Sequence, residues 1–345
     1  MIDYDTLILG AGAAGFFCAS HALGKVALFE KSLKVLSKVR ISGGGRCNVT
    51  HSCFDPKTLV TYYPRGSKEL LSVFSRFQPL DTIHWFEKRG VNLKTEEDGR
   101  MFPITDTSET IINCLMSAIE NVDLKRGIST QSIKKENDYF ILETNQGAYR
   151  AKNLVLTTGS ATQGHFFAKE FGHTITPLVP SLFTFNVPSS PLLELAGISL
   201  PKVTVSIMGT KLKETGPLLL THWGFSGPVI LRLSAWGAIE LFQKNYQVEI
   251  EIQWESDLPK RLKKVIGESH ETKFKMEGKT TYKSEFVTCG GIKRSEIDFR
   301  TMESRLCKGL FFAGEIIDID GITGGFNFQN AWSTGYIAGK HCHEF

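Results

Sequence analysis

The sequence lacks a long apolar run and a basic N-terminal region, and both absences exclude whole classes of protein. No stretch of the 345 residues approaches the ~18 consecutive apolar residues of a membrane-spanning helix. The first apolar stretch follows Asp3 and Asp5, whereas a secretory signal peptide begins with a basic region. We therefore expect a cytoplasmic protein that does not enter a membrane.

The seven cysteines lack the spacing of a disulfide framework or a zinc site. They are odd in number and scattered, and no two of them have C-x-x-C spacing. This pattern is typical of reduced thiols in a cytosolic protein. The tail His341-Cys342-His343 carries metal-ligating side chains, but a frayed polar terminus explains it better, so we predict no metal site.

The chain also lacks a strong excess of one charge. It has 40 Lys and Arg residues against 36 Asp and Glu residues, a net charge of +4, and its one concentrated basic stretch is residues 260–264. A solvated helix face explains that stretch more simply than a nucleic-acid-binding surface. We therefore expect neither nucleic acid nor membrane as a partner.

Glycine is abundant, with 32 residues, and the first of three glycine clusters has a recognisable spacing. Gly10, Gly12 and Gly15 form G-x-G-x-x-G between an apolar run, residues 4–9, and a predicted helix, residues 16–23. In this context the three glycines allow a tight turn, backbone approach to a pyrophosphate, and close helix–strand packing. The helix start also favours phosphate. The cluster therefore predicts a dinucleotide-binding βαβ unit.

An acidic residue ends the next predicted strand, residues 26–29. Glu30 lies about 20 residues after Gly10, where a carboxylate can accept hydrogen bonds from ribose hydroxyls. A 2′-phosphate would instead favour an arginine there. The sequence thus predicts a nucleotide with a free ribose, which is FAD or NAD and not NADP.

Two further glycine clusters suit a flat, electron-rich ligand. The second, residues 42–48, has three consecutive glycines followed by Arg46, which together offer backbone N–H groups and a guanidinium fork. A flexible surface loop is the alternative explanation. The third, residues 314–329, leads into a predicted helix whose start suits the electron-rich edge of a reduced flavin. Asp318 in this loop either hydrates a turn or contacts a ribityl chain.

The remaining pattern predicts a first architecture that is interrupted and then resumed. Before the interruption we expect three helices, at residues 70–77, 82–88 and 107–122. An antiparallel meander should follow, formed by segments 123–125, 129–134, 139–144 and 148–151, and then a buried strand at residues 153–156. Short β segments with one short helix, residues 258–266, then replace this pattern until about residue 290. A strand at 310–313 and a helix at 330–341 resume it.

Several stretches resemble one family, the bacterial NAD(P)/FAD-dependent oxidoreductases that include aminoacetone-oxidase-like and bile-acid-reductase-like flavoproteins. These stretches are residues 41–48, 221–228, 287–291 and 313–329. The resemblance covers nearly the whole chain. It implies an α/β protein with a Rossmann-type, glutathione-reductase-like FAD-binding domain and an inserted β-barrel-like domain.

The change of sequence pattern near residues 177–180 and its return near residue 290 predict the domain boundaries, and the resemblance implies the same insertion. Residues 1–176 and 289–345 would form the FAD-binding domain, and residues 177–288 an inserted β-rich substrate domain. Two departures lie toward the expected substrate side, because the stretch after Gly159 is compressed and residues 255–285 are too short for the family's whole helical portion. These departures concern substrate specificity and leave FAD binding untouched.

The family pattern implies a set of cofactor-binding residues from both ends of the chain. The glycine turn would meet the pyrophosphate, Glu30 the adenosine ribose, and the backbone of Thr130 the adenine, at a position where the family usually has valine. The whole predicted set is Gly10, Gly12, Ala13, Ala14, Gly15, Glu30, Lys31, Arg40, Ser42, Gly43, Gly44, Gly45, Arg46, Cys47, Asn48, Thr130, Thr158, Gly159, Gly314, Glu315, Asp318, Gly324, Gly325, Asn327 and Phe328.

Candidate catalytic proton donors are few. His222 lies in a turn-rich stretch of the insertion, and neutral imidazole suits acid–base chemistry. Cys47 lies beside Arg46, which would lower the pKa of the thiol. A structural role is the stronger explanation for His222, and Cys47 has no resolving cysteine at C-x-x-C spacing.

Only one G-x-G-x-x-G occurs, so a second, nicotinamide-binding Rossmann domain is not expected. Any NAD(P)H would reach the flavin without a dedicated fold; otherwise the substrate reduces the flavin, and oxygen or a protein reoxidises it. We predict an FAD-dependent oxidoreductase acting on a small molecule or NAD(P)H. Two alternatives remain open: a redox-sensing flavoprotein acting through a partner, and a flavin-dependent RNA-modifying protein.

Overall fold

A computed structural model describes residues 1–255, 258–267, 269–280 and 287–343. The chain divides into two compact units, a first unit of Met1–Leu178 with Gly290–Phe345 and a second unit of Val179–Cys289. The sequence predicts that the inserted domain begins at residue 177 and ends at residue 288. Part of the 255–285 stretch lies outside the described residues.

The elements are numbered along the whole chain. The strands of the first unit are β1 (Ile2–Leu9), β2 (Val26–Glu30), β3 (Thr50–His51), β4 (Leu93–Thr95), β5 (Arg100–Pro103), β6 (Asp123–Arg126), β7 (Thr130–Glu136), β8 (Tyr139–Thr144), β9 (Gly147–Leu156), β19 (Ile297–Asp298), β20 (Glu303–Ser304) and β21 (Leu310–Phe312). Its helices are α1 (Ala13–Ala19), α2 (Ser37–Gly45), α3 (Pro56–Leu59), α4 (Ser67–Phe74), α5 (Pro79–Glu87), α6 (Ser108–Ser117), α7 (Thr162–Glu170) and α11 (Phe326–His341).

A parallel sheet in the order β21-β9-β1-β2-β6 forms the centre of the first unit. The second half of β1 is buried on both faces, as are most residues of β2. Strands buried in this way have nearly continuous apolar sequences. This explains why the apolar runs at the start of the chain predict them well.

The antiparallel meander is smaller than predicted. Strands β7, β8 and β9 form it, and β9 continues unbroken through both segments that the sequence separates at residue 152. Placing residues 123–125 in the meander is wrong, because β6 pairs in parallel with β2. A four-residue polar strand carries no periodicity that could indicate a partner so far away in sequence.

Local contacts and backbone conformation define the starts of three helices of the first unit, α5, α6 and α11. The Thr107 hydroxyl caps α6 by accepting a hydrogen bond from Glu109 N at 3.4 Å. Thr107 and Ser108 are the two residues whose type and position predict a cap at this helix start. At the start of α5 the Asp81 carboxylate accepts a hydrogen bond from Gln78 N at 2.9 Å. The last helix, α11, begins at Phe326 rather than at 330, because Gly325 with φ 94° provides the turn that starts it.

The second unit is built on antiparallel strands. They are β10 (Val179–Ser181), β11 (Thr184–Asn186), β12 (Ser199–Ile207), β13 (Lys213–Thr221), β14 (Gly224–Ser226), β15 (Gln247–Trp254), β16 (Glu271–Glu277), β17 (Lys279–Thr280) and β18 (Val287–Cys289). Its helices are α8 (Pro228–Trp236), α9 (Ala238–Gln243) and α10 (Lys260–Ile266).

The main sheet of the second unit curls toward closure. Its order is β16-β15-β12-β13-β14-β11-β17, and β16 and β17 are consecutive in the chain. Gly278 joins them: its carbonyl accepts from Asn186 N at 3.0 Å and its N–H donates to Tyr246 O at 2.9 Å. Strands β16 and β17, which stand at the two ends of the sheet order, are therefore two parts of one strand interrupted at Gly278. The sheet is barrel-like for this reason.

Helices α8 and α9 correct the expectation that residues 177–290 hold only β segments and one short helix. Pro228 occupies the first turn of α8, where its fixed φ is suited to a helix, and Val229, Ile230 and Leu233 are fully buried in the core of the second unit. A short apolar run of this kind is compatible with strand or helix, and the sequence pattern does not separate them. None of the described helices combines the length and apolarity that a bilayer crossing requires.

Candidate cofactor site

The carboxyl ends of four parallel strands bring predicted residues of the first unit to one edge of its sheet. Strand β1 leads into Gly10, β2 ends at Glu30, β9 leads into Thr158, and β21 leads into Gly314. In open α/β sheets this edge is where ligands bind. The residues predicted from opposite ends of the sequence therefore meet at a site that suits a ligand.

The three glycines of the first turn have different reasons to be glycine. A Cβ on Gly10, which has φ 107°, would lie 2.6 Å from the Thr157 carbonyl oxygen. A Cβ on Gly15 would lie 1.9 Å from the Gly10 oxygen. A Cβ on Gly12 would have no heavy atom of the described chain within 4 Å. Gly10 and Gly15 are thus needed for packing, whereas Gly12, followed by Ala13 and Ala14 in the first turn of α1, borders open space.

Glu30 is already oriented by two backbone donors. Its carboxylate accepts from Ala11 N at 3.1 Å and from Ser32 N at 2.9 Å. A carboxylate has about four lone-pair sites, so two such bonds leave capacity for hydroxyl donors. Glu30 lines a cavity together with Gly10, the exposed Lys31, Thr130, Thr158, Gln163 and Phe167.

The same cavity contains a residue that sequence reasoning missed. Gln163 Nε2 donates to the Thr130 carbonyl at 2.5 Å, at the strand position predicted to meet adenine. Nothing in the local sequence marks Gln163, because only the tertiary structure brings this residue of α7 to the first residue of β7. Nearby, the buried Thr158 Oγ1 has no hydrogen-bond partner among the described residues. An orphaned hydroxyl beside an open glycine turn fits a polar ligand such as the nucleotide half of FAD.

The second glycine cluster is a closed loop at the end of α2. Gly43, Gly44 and Gly45 have φ values of 57°, 68° and 85°, and Cys47 N donates to the Ser42 carbonyl at 3.0 Å. A Cβ on Gly44 or Gly45 would meet no described heavy atom within 4 Å. This loop therefore offers unobstructed backbone to a ligand, as a flat ring system requires.

Arg46 is held by protein carboxylates instead of standing free. Its guanidinium lies 2.6 Å from Glu96 and 3.5 Å from Asp106, and it stacks over the Phe102 ring at 4.0 Å. Arg40, also in the predicted set, is exposed and pairs with Glu109. In this loop the backbone is therefore a better candidate for ligand contact than the predicted guanidinium fork.

The expectation that Arg46 lowers the pKa of Cys47 is wrong. Burial raises the pKa of the fully buried Cys47 thiol to about 12, and the hydrogen bond with Ser42 opposes this only in part. The thiolate is the reactive form of cysteine. Cys47 therefore stays protonated near neutral pH, which disfavours a role as nucleophile. A thiol with so high a pKa is also a weak proton donor near neutral pH.

Asn48 links the second cluster to the third. With its amide oriented to suit its neighbours, it accepts from Gly325 N at 3.0 Å and donates to Thr50 O at 3.1 Å. A Cβ on Gly325 would lie 2.5 Å from that same Thr50 oxygen. The neighbouring Gly324 has φ 134°. The two clusters are thus in direct contact.

The third cluster packs on the first through Gly314. Its N–H donates to Thr334 Oγ1 at 2.9 Å, and a Cβ on it would lie 2.8 Å from the Ala14 Cβ. The next residue, Glu315, pairs with Lys38 at 2.5 Å. A Cβ on Gly159 would lie 3.5 Å from that carboxylate. First, second and third clusters therefore share one region of the first unit.

The polar residues of the third cluster are largely engaged within the protein. Asp318 accepts from Arg294 at 2.7 Å, and burial raises the pKa of its carboxyl while the Arg294 charge opposes the rise. The Asn327 amide accepts from Gly321 N at 2.9 Å and donates to Gly321 O at 2.8 Å, closing the loop. Phe328 stacks on Trp332 with ring centroids 5.6 Å apart. Helix α11, with no acidic residue in its first turn, begins where this loop ends.

His222 belongs to the second unit. It is exposed in the two-residue turn between β13 and β14, next to Trp223. Any catalytic role of His222 remains a prediction.

Among the residues that the structure describes, no group of three or more His, Cys, Asp or Glu side chains could hold a metal ion.

Comparison with known proteins identifies a family and several relatives. The family model described as HI0933-like protein Rossmann domain matches residues 4–341. A ribosomal RNA dihydrouridine synthase of Escherichia coli K12 is 29% identical over 399 residues, covering 99% of this chain and 98% of the relative. The Haemophilus influenzae protein of the same name is 30% identical over 393 residues, covering 96% of each chain.

A third relative has a different named substrate. A 3-dehydro-bile acid delta(4,6)-reductase of Clostridium scindens is 24% identical over 406 residues, covering 98% of each chain. The alignment with the Escherichia coli relative spans 399 positions and this chain has 345 residues, so at least 54 positions hold residues of the relative alone. The predicted compression after Gly159 and the predicted shortening within residues 255–285 remain predictions.

Solved structures share the fold across the whole chain. A 3-ketosteroid delta1-dehydrogenase of Sterolibacterium denitrificans has a TM-score of 0.60 at 11% identity and covers 100% of both chains. A 3-ketosteroid-delta4-(5alpha)-dehydrogenase of Rhodococcus jostii has a TM-score of 0.59 at 13% identity, covering 99% of this chain and 97% of the other. With the family match, these structures confirm the predicted Rossmann-type fold that carries a separate antiparallel domain.

Proposed function

The chain belongs to the HI0933-like Rossmann family of FAD-dependent oxidoreductases, and from that premise we propose that it reduces a C=C bond conjugated with a carbonyl group. Family membership confirms the predicted cofactor, FAD, and the predicted enzyme class. The bond type is the proposed step beyond it.

The shared chemistry of the named relatives carries this proposal. Forming dihydrouridine saturates a ring C=C bond that is conjugated with a carbonyl, and two relatives of this chain are named for that reaction. A third is named for reducing delta(4,6) bonds of a 3-dehydro bile acid, in which the double bonds are conjugated with the 3-keto group. Substrates of very different size thus present the same electrophilic carbon to the enzyme.

The reaction needs two electrons and two protons in total. FAD, when bound, supplies hydride chemistry. A hydride equivalent adds to the carbon remote from the carbonyl, a proton adds to the neighbouring carbon, and a reductant such as NAD(P)H replaces the electrons. The single dinucleotide turn suggests that NAD(P)H has no separate Rossmann domain in this chain.

The residues of the first unit would hold and orient the cofactor. The open backbone at Gly12 suits a pyrophosphate, and the Glu30 carboxylate retains acceptor capacity for ribose hydroxyls. The bare glycine loop at Gly44 and Gly45 suits the isoalloxazine ring. The start of the 16-residue helix α11 would stabilise negative charge on a reduced ring. For the proton, His222 remains the proposed candidate.

Anaerobic stopped-flow absorbance tests the proposal directly. FAD-loaded protein is reduced with NADH, with NADPH or with one equivalent of dithionite, and is then mixed with a 3-keto-4,6-diene steroid or with cyclohexenone. We expect a conjugated compound to restore the oxidised-flavin absorbance, whereas its saturated counterpart does not. Equal rates with saturated and unsaturated compounds would contradict C=C reduction.

A uracil base in ribosomal RNA is a second candidate substrate, favoured by the two relatives that match at 29% and 30% identity over nearly their full length. The reduced protein is mixed with unmodified ribosomal RNA transcript, and dihydrouridine is measured by mass spectrometry. Formation of dihydrouridine would assign this substrate. A small-molecule substrate predicts no dihydrouridine and reoxidation by the steroid alone.

A further inference from the structure

A short segment, residues 62–66, lies along the third glycine cluster and holds it at three points. The Tyr62 carbonyl accepts from Ile322 N at 3.0 Å. The Tyr63 hydroxyl donates to the carbonyl of Phe326, the first residue of α11, at 2.6 Å. Arg65 forms an antiparallel backbone bridge with Asp320. We call residues 62–66 the clamp segment.

The side chains of Arg65 and Asp320 add a buried ion pair to the backbone bridge. Arg65 Nε lies 2.6 Å from Asp320 Oδ1, and a second guanidinium nitrogen bonds the other carboxylate oxygen. The side chains are 11% and 0% exposed. A buried pair of this kind contributes little net stability compared with apolar residues, because both charges lose water. Its two parallel hydrogen bonds do impose one geometry.

Aromatic stacking fixes the residue that Tyr63 bonds. The Phe326 ring stacks on Tyr62, with centroids 4.5 Å apart and planes at 15°, and also contacts His51, at 4.8 Å and 24°. Tyr63 is itself 2% exposed and also contacts the Phe326 ring edge-on. The start of α11 is therefore held from the clamp segment through both hydrogen bonding and stacking.

These contacts fix the part of the chain that is expected to face the flavin. Gly324 and Gly325 follow Asp320 in this loop and have positive φ values. Because glycine is conformationally permissive, the loop by itself is flexible. We infer that Arg65 and Tyr63 are positioning residues for FAD, which set the start of helix α11 against the flavin without touching substrate. The inference rests on the proposed FAD site and names two residues outside every glycine cluster.

A second bidentate pair provides a matched control. Arg150 Nε and Nη2 both lie 2.9 Å from the carboxylate oxygens of Asp3, near the start of β1 and thus away from the glycine turn at its end. The side chains are 41% and 61% exposed. Arg65→Lys and Arg150→Lys make the same chemical change, retaining the charge and removing the fork.

The test measures FAD affinity of refolded apoprotein by quenching of flavin fluorescence, and the reduction potential of loaded protein. We expect Arg65→Lys to bind FAD about tenfold more weakly and Tyr63→Phe a few-fold more weakly, on the scale of a lost buried hydrogen bond. The double variant should lose less than the product of the two effects, because both residues act on one loop. The potential should become more negative in both single variants and stay unchanged in Arg150→Lys.

Two results would overturn the inference. One is FAD affinity within about twofold of the parent protein in both Arg65→Lys and Tyr63→Phe; the other is an unchanged potential in both, which would assign the clamp segment a purely structural role. If Arg65→Lys does not fold, Tyr63→Phe and its potential decide alone. Failure of the parent protein to bind FAD would instead refute the proposed function.

Discussion

The two ends of the candidate site are shaped by contacts of very different range. At the proposed adenosine end, Ala11 N bonds the Glu30 side chain, 19 residues away, and Gly10 N bonds Phe29 O at 2.9 Å. At the proposed flavin end, Trp332 Nε1 bonds Val49 O at 2.9 Å across 283 residues. The glycine turn and Glu30 are thus encoded within 30 residues, whereas the rest of the cavity around Glu30 and the proposed flavin end are assembled from distant parts of the first unit.

The largest expected effect is the loss of stability when Gly15, which packs at the proposed adenosine end, is replaced by alanine. A Cβ in Gly15→Ala would sit 1.9 Å from the Gly10 oxygen, a backbone atom that cannot rotate away. We expect a loss of about 3 kcal/mol or more in the free energy of unfolding, measured by urea denaturation of the apoprotein.

Gly12→Ala is the matched control, since its Cβ would meet open space. Its unfolding free energy should change by no more than about 0.5 kcal/mol, while FAD affinity falls because the methyl group occupies the space proposed for the pyrophosphate. Equal destabilisation by both alanines would refute this division between packing and binding.

Glu30→Ala sharpens the comparison at the same end. Loss of ribose hydrogen bonds should weaken FAD binding by about 1–3 kcal/mol, or roughly 5- to 150-fold, in a fluorescence titration. Glu30→Gln retains an acceptor oxygen and should lie between the alanine variant and the parent. Unchanged affinity in Glu30→Ala would remove the ribose assignment.

At the flavin end, stability and binding should not separate. Trp332 is fully buried and both stacks on Phe328 and bonds Val49 O. Trp332→Phe should cost about 1–2 kcal/mol of unfolding free energy from the lost buried hydrogen bond and volume, and FAD affinity should fall with it. If Trp332→Phe lowers stability but keeps full FAD affinity, then stability and FAD binding depend on different contacts at this end as well.

The smallest expected effect concerns Cys47. With a thiol pKa of about 12 and complete burial, it should resist iodoacetamide in native protein between pH 7 and about pH 9, well below that pKa. Its labelling after denaturation, read by mass spectrometry, is the control. Rapid native labelling at pH 7 would contradict the buried, protonated state.

Sequence patterns were informative where the physical cause is local. The strand–turn–helix unit, the position of Glu30 and the Thr107 cap all follow from spacing and burial within a few residues. Patterns were misleading where the partner is distant: β6 was assigned to the wrong neighbours, and Arg46 is committed to Glu96 and Asp106. A side chain's partners depend on which loops pack beside it, and periodicity carries no record of that.

Short-range spacing was sufficient to predict a Rossmann-type unit for FAD or NAD, because phosphate binding by a glycine turn depends on one βαβ unit. The choice of FAD came from the family resemblance of longer stretches of the sequence. Folding of the first unit alone decided that Gln163 bonds the Thr130 carbonyl and that Arg65 pairs with a fully buried Asp320. Those contacts join residues 33 and 255 positions apart. Their cause is the packing of loops and helices that the fold brings together from distant parts of the chain, which is a property of the topology.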